Sequence, residues 1–436
     1  MNAALVKELY EEINSLPIVD IHTHVNWKTG TARNIGEILS YHYYTELTNS
    51  ARYDGEPLPL DDPRELTRLI YPKLELIRNT VQYDWLMTIS REFLDIAPEE
   101  WEIDDNWEAI FDRSVEVMDR ADWAEELTAQ ADIVRVFLTN QYDEDLEGLD
   151  TGFYSPCLRT EPFVLWMDRP AERAGLQRFL GKEIRTVADV RAVIVQAFQK
   201  FVRHGMGYAA MSIPANFVTG FVSDEDAQRL LDKAIAGTPW DAADRRAWGM
   251  FAVNRICDAC RNFGRPYHLM IGVSRDVYRQ GVPMGQDLFD SVNSMSGYDY
   301  ILNTYSDVRF PTAILSDTSG LELTAAGWIR HNVYPSGHWW YANQPTEIAR
   351  ELRRRLDSVP GNKTIGYFSD AYYLDFILPK FRMFKFELAV ALAERMERSL
   401  IHPNMEPFSF AEAMLLAEDL LINNPMDIIA LDADED

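Results

Sequence analysis

Cysteine is scarce in this chain: three residues in 436, at Cys157, Cys257 and Cys260. So few thiols exclude a disulfide framework and fit a reducing compartment. Cys257 and Cys260 form a CxxC inside "WGMFAVNRICDACRNFG", which reads as a helix, and the three-residue spacing puts both on one face as packing residues, redox or metal use being the less favoured reading. Positive charge is also short, with 42 Lys and Arg against 69 Asp and Glu and a formal net charge of −27. Such a field repels nucleic acid and any partner held through phosphates, while a small anionic ligand needs local arginines or a metal to enter. No apolar run approaches the roughly 18 residues of a membrane span. The opening "MNAALVKELYEEINSL" reads as an acidic amphipathic helix without the apolar segment of a signal peptide, so a cytoplasmic protein is expected. Low-complexity tracts and fixed-period repeats are absent too, and 47% hydrophobic residues predict a sizeable core.

What the chain does have is an alternation of short apolar runs and longer helical patterns. Eight candidate strands lie at 18–24, 132–138, 155–160, 208–214, 267–273, 311–317, 332–338 and 364–370. Helical patterns occupy 186–204, 223–236, 241–263, 319–330, 345–357 and 376–398. Strands separated by helices of this length pair in parallel through βαβ crossovers, and eight units predict an α/β fold of the (β/α)8 TIM-like barrel class. Chemistry in such a barrel collects where the strands end. Residues of about 34–130 hold only helical patterns, which predicts a large helical insertion after the first strand within a single domain over 1–436. The ending "MDIIALDADED" reads as a frayed acidic tail.

The first strand closes with "IVDIHTH". Alternation along a strand turns His22 and His24 to one side and Thr23 to the other. Two imidazoles at the end of a barrel strand are a natural pair of ligands for a divalent metal. The best third ligand is Asp370, at the end of the last strand, which pairs with the first in a closed barrel. A carboxylate there can bind metal and serve as a general base. The fourth strand, "AAMSIPA", offers only Ser212 as a polar end group, so one divalent ion, zinc by preference, is expected rather than two.

With these residues in view the chain resembles the glucuronate (uronate) isomerase family of the amidohydrolase superfamily. The resemblance runs in order through "ILSYHYYTEL", "ADIVRVFLTNQYDED", "CLRTEP", "LMIGVSR", "PSGHWWYANQP" and "GYFSDAYYLDFILPKFRMFKFELAVAL", and covers most of the chain. It implies an amidohydrolase-type barrel, His22, His24 and Asp370 as metal ligands, and Tyr43 and Arg159 over the metal as catalytic groups with Asp370. Arg275 is implied nearby, with His42 beside Tyr43. Trp339 and Trp340 can wall the sugar or pack in the core, and Arg159 and Arg275 can bind a carboxylate or simply pair with acids. The implied reaction interconverts an aldose acid of the glucuronate or galacturonate type and its ketose. The partner expected is thus a small sugar acid, with no nucleic acid, no membrane and a homo-oligomer left open.

Two departures stand out. The family usually carries an arginine two residues after the last-strand aspartate, where this chain has Tyr372, and many members carry a histidine where this chain has Met270. His268 lies two residues earlier, about 6.6 Å deeper along a strand, and is not assigned to the metal. The loss of the arginine keeps open a metal-dependent hydrolase of a lactone, ester or amide.

Overall fold

The computed structural model describes residues 2–55 and 57–429. The strands are β1 (Ile18–Asp20), β2 (Ile133–Phe137), β3 (Tyr154–Ser155), β4 (Leu158–Arg159), β5 (Ala209–Pro214), β6 (Tyr267–Ser274), β7 (Leu288–Phe289), β8 (Phe310–Ile314) and β9 (Val333–Pro335). They pair in parallel as β1-β2-β3 and β4-β5-β6-β8-β9, with only the short β7 antiparallel, on β6. The run expected as one strand at 155–160 is cut in two, because Pro156 has no N–H to give the ladder. Its two pieces still join the neighbours, Leu138 N donating to Ser155 O and Leu158 N to Tyr208 O.

The last expected strand, 364–370, is a correction: it forms no ladder. A single bridge links Ile365 to Ser336, and Gly366 N turns away to Leu420 O. The barrel closes nonetheless through the backbone of its upper end, Asp370 N donating to His22 O at 3.0 Å and His24 N to Ala371 O at 2.7 Å. The chain is therefore an α/β barrel of the TIM type, with the ends of its first and last segments side by side.

Among the described residues, 34–130 hold helices and no strand. The helix His42–Ala51 starts at the rim of the barrel, which brings His42 and Tyr43 in its first turn over the strand ends. One core cluster fills the barrel, with Val19, Ile21, Phe137, Ala210, Met270, Ala313 and Phe368. Ile428 and Ile429 belong to the same cluster. This corrects the reading of 426–436 as a frayed tail: Met426 to Ile429 fall in the helix Asn424–Ile429, whose apolar side enters the barrel, while 430–436 lie outside the described residues. Cys257 and Cys260 are buried in the helix Ala242–Phe263, as packing residues.

Candidate active site

His22 and His24 leave the end of β1 with their rings 5.4 Å apart and nearly perpendicular. Their Nε2 atoms lie 3.6 Å and 3.3 Å from one oxygen of Asp370, Oδ1. Thr23 turns the other way, its hydroxyl donating to Phe137 O. The three ligand atoms all lie within 4.8 Å of one another, and no other such group of His, Cys, Asp or Glu occurs among the described residues. Both His22 Nε2 and Asp370 Oδ1 are buried without a hydrogen-bond partner. Buried polar atoms are rarely left so, and a shared divalent cation would satisfy them all.

The tautomer of His22 is fixed by its neighbour. Tyr208 spends its only proton on Ile21 O, at 2.7 Å, so at 2.8 Å from His22 Nδ1 it must accept. His22 therefore carries its proton on Nδ1 and turns a lone pair outward on Nε2, the arrangement a metal requires. Burial holds His22 well below the ordinary imidazole range and keeps it neutral. Burial acts on Asp370 in the opposite sense, but the neighbouring imidazoles and Lys380 outweigh it and keep the carboxyl below its usual value.

Asp370 also sits in the left-handed backbone region, at φ +56°, which aspartate enters more readily than most residues but seldom without support. It is held from both sides. Tyr41 donates to Asp370 O at 3.0 Å, and the fully buried Lys380 donates to Ser369 O at 2.9 Å and to Tyr41 at 3.0 Å. Asp20 accepts from Ser369 N at 3.0 Å, and burial pushes its carboxyl up to about 7. Trp340 is the second left-handed residue at the site, at φ +49°. Strain of this kind concentrates at functional sites.

The strand ends enclose a cavity of about 270 Å³, and most of the expected site residues line it: His24, Asp370, His42, Tyr43, Arg159, Arg275, Trp339, Trp340 and Tyr372. His22 lies behind His24 and is not part of the wall. Tyr43 is buried with its hydroxyl unpartnered, and burial raises it well above the usual phenol range, so it is a neutral donor. Arg159 donates to Glu161 at 3.2 Å, and Arg275 to Asp287 at 2.5 Å. His42 pairs with Glu46 at 2.8 Å. Both tryptophans face the cavity with their indole N–H groups unpartnered.

Tyr372 points into the site, its ring stacked on His24 at 4.9 Å between centroids. No other guanidinium has moved into its place without a partner, since Arg275 keeps Asp287 and Arg382 pairs with Glu92 at 3.0 Å. His268 sits below His22, rings 5.6 Å apart, outside the ligand group; burial takes it down to about 3 and keeps it neutral.

Four supporting residues were given no role by the sequence: Tyr208, Asp20, Lys380, and Glu161 inside "CLRTEP". The only signal was a polar side chain inside an apolar run, as with the aspartate of "IVDIHTH" and the first lysine of "FILPKFRMFKF".

With His22 and His24 just past its first strand and Asp370 after its last, the chain is an α/β barrel with one candidate metal centre at its strand ends. No protein-family model matches the chain. Against curated proteins it is 23% identical over 399 residues to a uronate isomerase of Corynebacterium efficiens, the match covering 84% of each chain. Among solved structures it is similar to the glucuronate isomerase of Caulobacter crescentus, at TM-score 0.88 and 17% identity over 99% of this chain and 95% of that one. The uronate isomerase of Thermotoga maritima gives TM-score 0.85 at 16% identity over 98% of each. The fold is that of the uronate isomerases.

Proposed function

We propose that this chain is a metal-dependent uronate isomerase, one barrel domain that interconverts an aldose acid of the glucuronate or galacturonate type and its ketose in the cytoplasm. The reading rests on one observation above the others: an unpartnered carboxylate oxygen, an unpartnered phenol and two arginines meet around one cavity of about 270 Å³. That volume is near the small end of ligand pockets and suits a monosaccharide. The similarity to uronate isomerases supports the same reading.

His22, His24 and Asp370 would hold one divalent ion, zinc by preference, and that ion supplies Lewis acidity to an oxygen of the substrate. Asp370 takes the proton from C2 of the open-chain aldose with its other oxygen. The C–H electrons form the C1–C2 double bond, and the aldehyde oxygen becomes an enediolate. Tyr43 donates a hydrogen bond to that developing charge. The proton on Asp370 exchanges with solvent, and the carboxyl then delivers a proton to C1 while the hydroxyl proton on O2 passes to O1, which leaves the ketose. Arg159 binds the substrate carboxylate in bidentate fashion, steadied by Glu161, whose carboxylate also accepts Ser212 N at 3.1 Å. Arg275 takes part in the same recognition, and His42 orients Tyr43. Trp339 and Trp340 exclude water from one side of the sugar.

The competing reading is a metal-dependent hydrolase of a lactone, ester or amide, and the phenol of Tyr372 in place of a guanidinium is what favours it. Incubation with glucuronate and galacturonate should yield the ketose acid. No turnover on any uronate, together with cleavage of sugar lactones, would establish the hydrolase instead.

A further inference from the structure

The metal pocket does not stand alone. A second cavity of about 310 Å³ shares Arg159, Ser212, Arg275 and Asp287 with it. A third, of about 660 Å³, shares Trp166, Arg169, Pro214 and Arg275 with the second. The three form one cleft that leads from Asp370 outward across the ends of β4, β5 and β6. Arg275 borders all three chambers.

The outer chamber is unusual in sign. Arg169, Arg245, Arg246 and Arg275 line it, against only Asp168 and Asp290. Asp168 pairs with Arg245 at 3.0 Å, and Arg275 has Asp287. Arg169 and Arg246 have no carboxylate partner within ion-pair distance among the described residues, and Arg169 lies over the Trp166 ring at 5.2 Å. In a chain of net charge −27, two unpaired guanidiniums in one hollow mark a place for an anion. The same wall carries Trp166 and Phe217, each only partly buried, flat apolar faces of the kind that pack against sugar rings.

We infer that the outer chamber is a second subsite for a uronate unit, and that this chain takes a disaccharide acid with its reducing-end sugar in the metal pocket. The inference rests on the isomerase reading. Isomerisation needs a free aldehyde at C1, so the added unit is joined through an oxygen further along the reacting sugar, such as O4. Its carboxylate then meets Arg169 and Arg246, while Arg275 stands between the two units. A phenol at Tyr372 is compatible with this, since the arginines of the outer chamber supply the charge that draws in an acidic substrate.

The test compares binding and turnover of galacturonate and α-1,4-linked digalacturonate by the metal-loaded protein, in wild type and in the double variant Arg169→Gln/Arg246→Gln. Both side chains are exposed, so the variant keeps the fold. A charge-assisted pair contributes a tenfold or larger factor in affinity, roughly. The disaccharide should therefore bind at least about tenfold more tightly than the monosaccharide in wild type. The variant should lose that advantage with its galacturonate affinity unchanged. Equal affinity for the two acids in wild type, or an advantage that survives in the variant, overturns the subsite. If the affinity difference holds while neither acid is isomerised, the isomerase reading fails and the subsite stands.

Discussion

Replacing Lys380 with methionine removes one buried charge and tests how the site holds its base. Lys380 lies in the helix Ile377–Ile401, fully buried, with its ammonium 4.8 Å to 5.8 Å from the rings of Tyr41, Tyr43, Trp85 and Phe376. Through Ser369 O and Tyr41 it fixes the carbonyls on either side of the Asp370 N–Cα bond. A left-handed backbone costs an ordinary residue about 1–2 kcal/mol, so without this clamp Asp370 relaxes. Methionine keeps the length and the apolar stem but leaves the Tyr41 oxygen without its donor and Ser369 O with only the longer bond from Asn343 Nδ2 at 3.5 Å, at up to about 1–3 kcal/mol each. The opposing gain is the charge no longer buried. Burial takes Lys380 from 10.5 to about 8, which corresponds to about 3 kcal/mol. Loss and gain are of similar size, so the melting temperature should move by only a few degrees. The site should not be spared, because disturbing the support of a metal ligand lowers affinity by about ten- to a hundredfold. A chelator competition titration together with the rate on glucuronate separates the two effects. Metal affinity and kcat/KM both within twofold of wild type would refute the clamp.

Metal analysis should return about one equivalent per chain, falling sharply in His22→Ala and in His24→Ala; two equivalents, or metal kept by both variants, contradicts the three-ligand site. Tyr372→Arg adds a permanent charge to the pocket, and a charge-assisted contact contributes about 1.5–3 kcal/mol, so kcat/KM on glucuronate or galacturonate should rise by about ten- to a hundredfold in steady-state assays. An unchanged or lower value would mean the substrate carboxylate does not reach that point. Asp375 accepts Ala32 N at 2.9 Å, and burial pushes its carboxyl up to about 7, well above its unfolded value, so its contribution to stability is full below about pH 4 and is lost as pH rises through about 7. Asp375→Asn should flatten the fall of urea stability between about pH 5 and pH 7, by up to about 1.4 kcal/mol per pH unit, and an unaltered slope would rule Asp375 out as its source.

The candidate site was legible where chemistry coincided with a local period. His22 and His24 are two apart on a strand end, and one rule of alternation puts them together. Asp370 followed from closure of the barrel, though the segment that carries it is hardly a strand. A polar tether at Gly366 and the left-handed turn at Asp370 replace the ladder the apolar run suggested. The split at Pro156 was readable in principle, since proline cannot donate. The end of the chain misleads because the acidic run "DADED" closes it two residues after "MDII", and only the packed structure reveals that Ile428 and Ile429 plug the barrel. The supporting residues were out of reach for a different reason. Tyr208 meets His22 across 186 positions, and Lys380 meets Tyr41 across 339, so nothing local marks them.

The central claim is that Asp370 carries a proton between neighbouring carbons of a sugar acid. Proton NMR of glucuronate or galacturonate incubated with the enzyme in deuterium oxide tests it directly. A ketose acid with solvent deuterium at C1 is expected from the wild type, and no product from Asp370→Asn reloaded with metal. A ketose that remains free of deuterium at equilibrium, or turnover undiminished in Asp370→Asn, would contradict it.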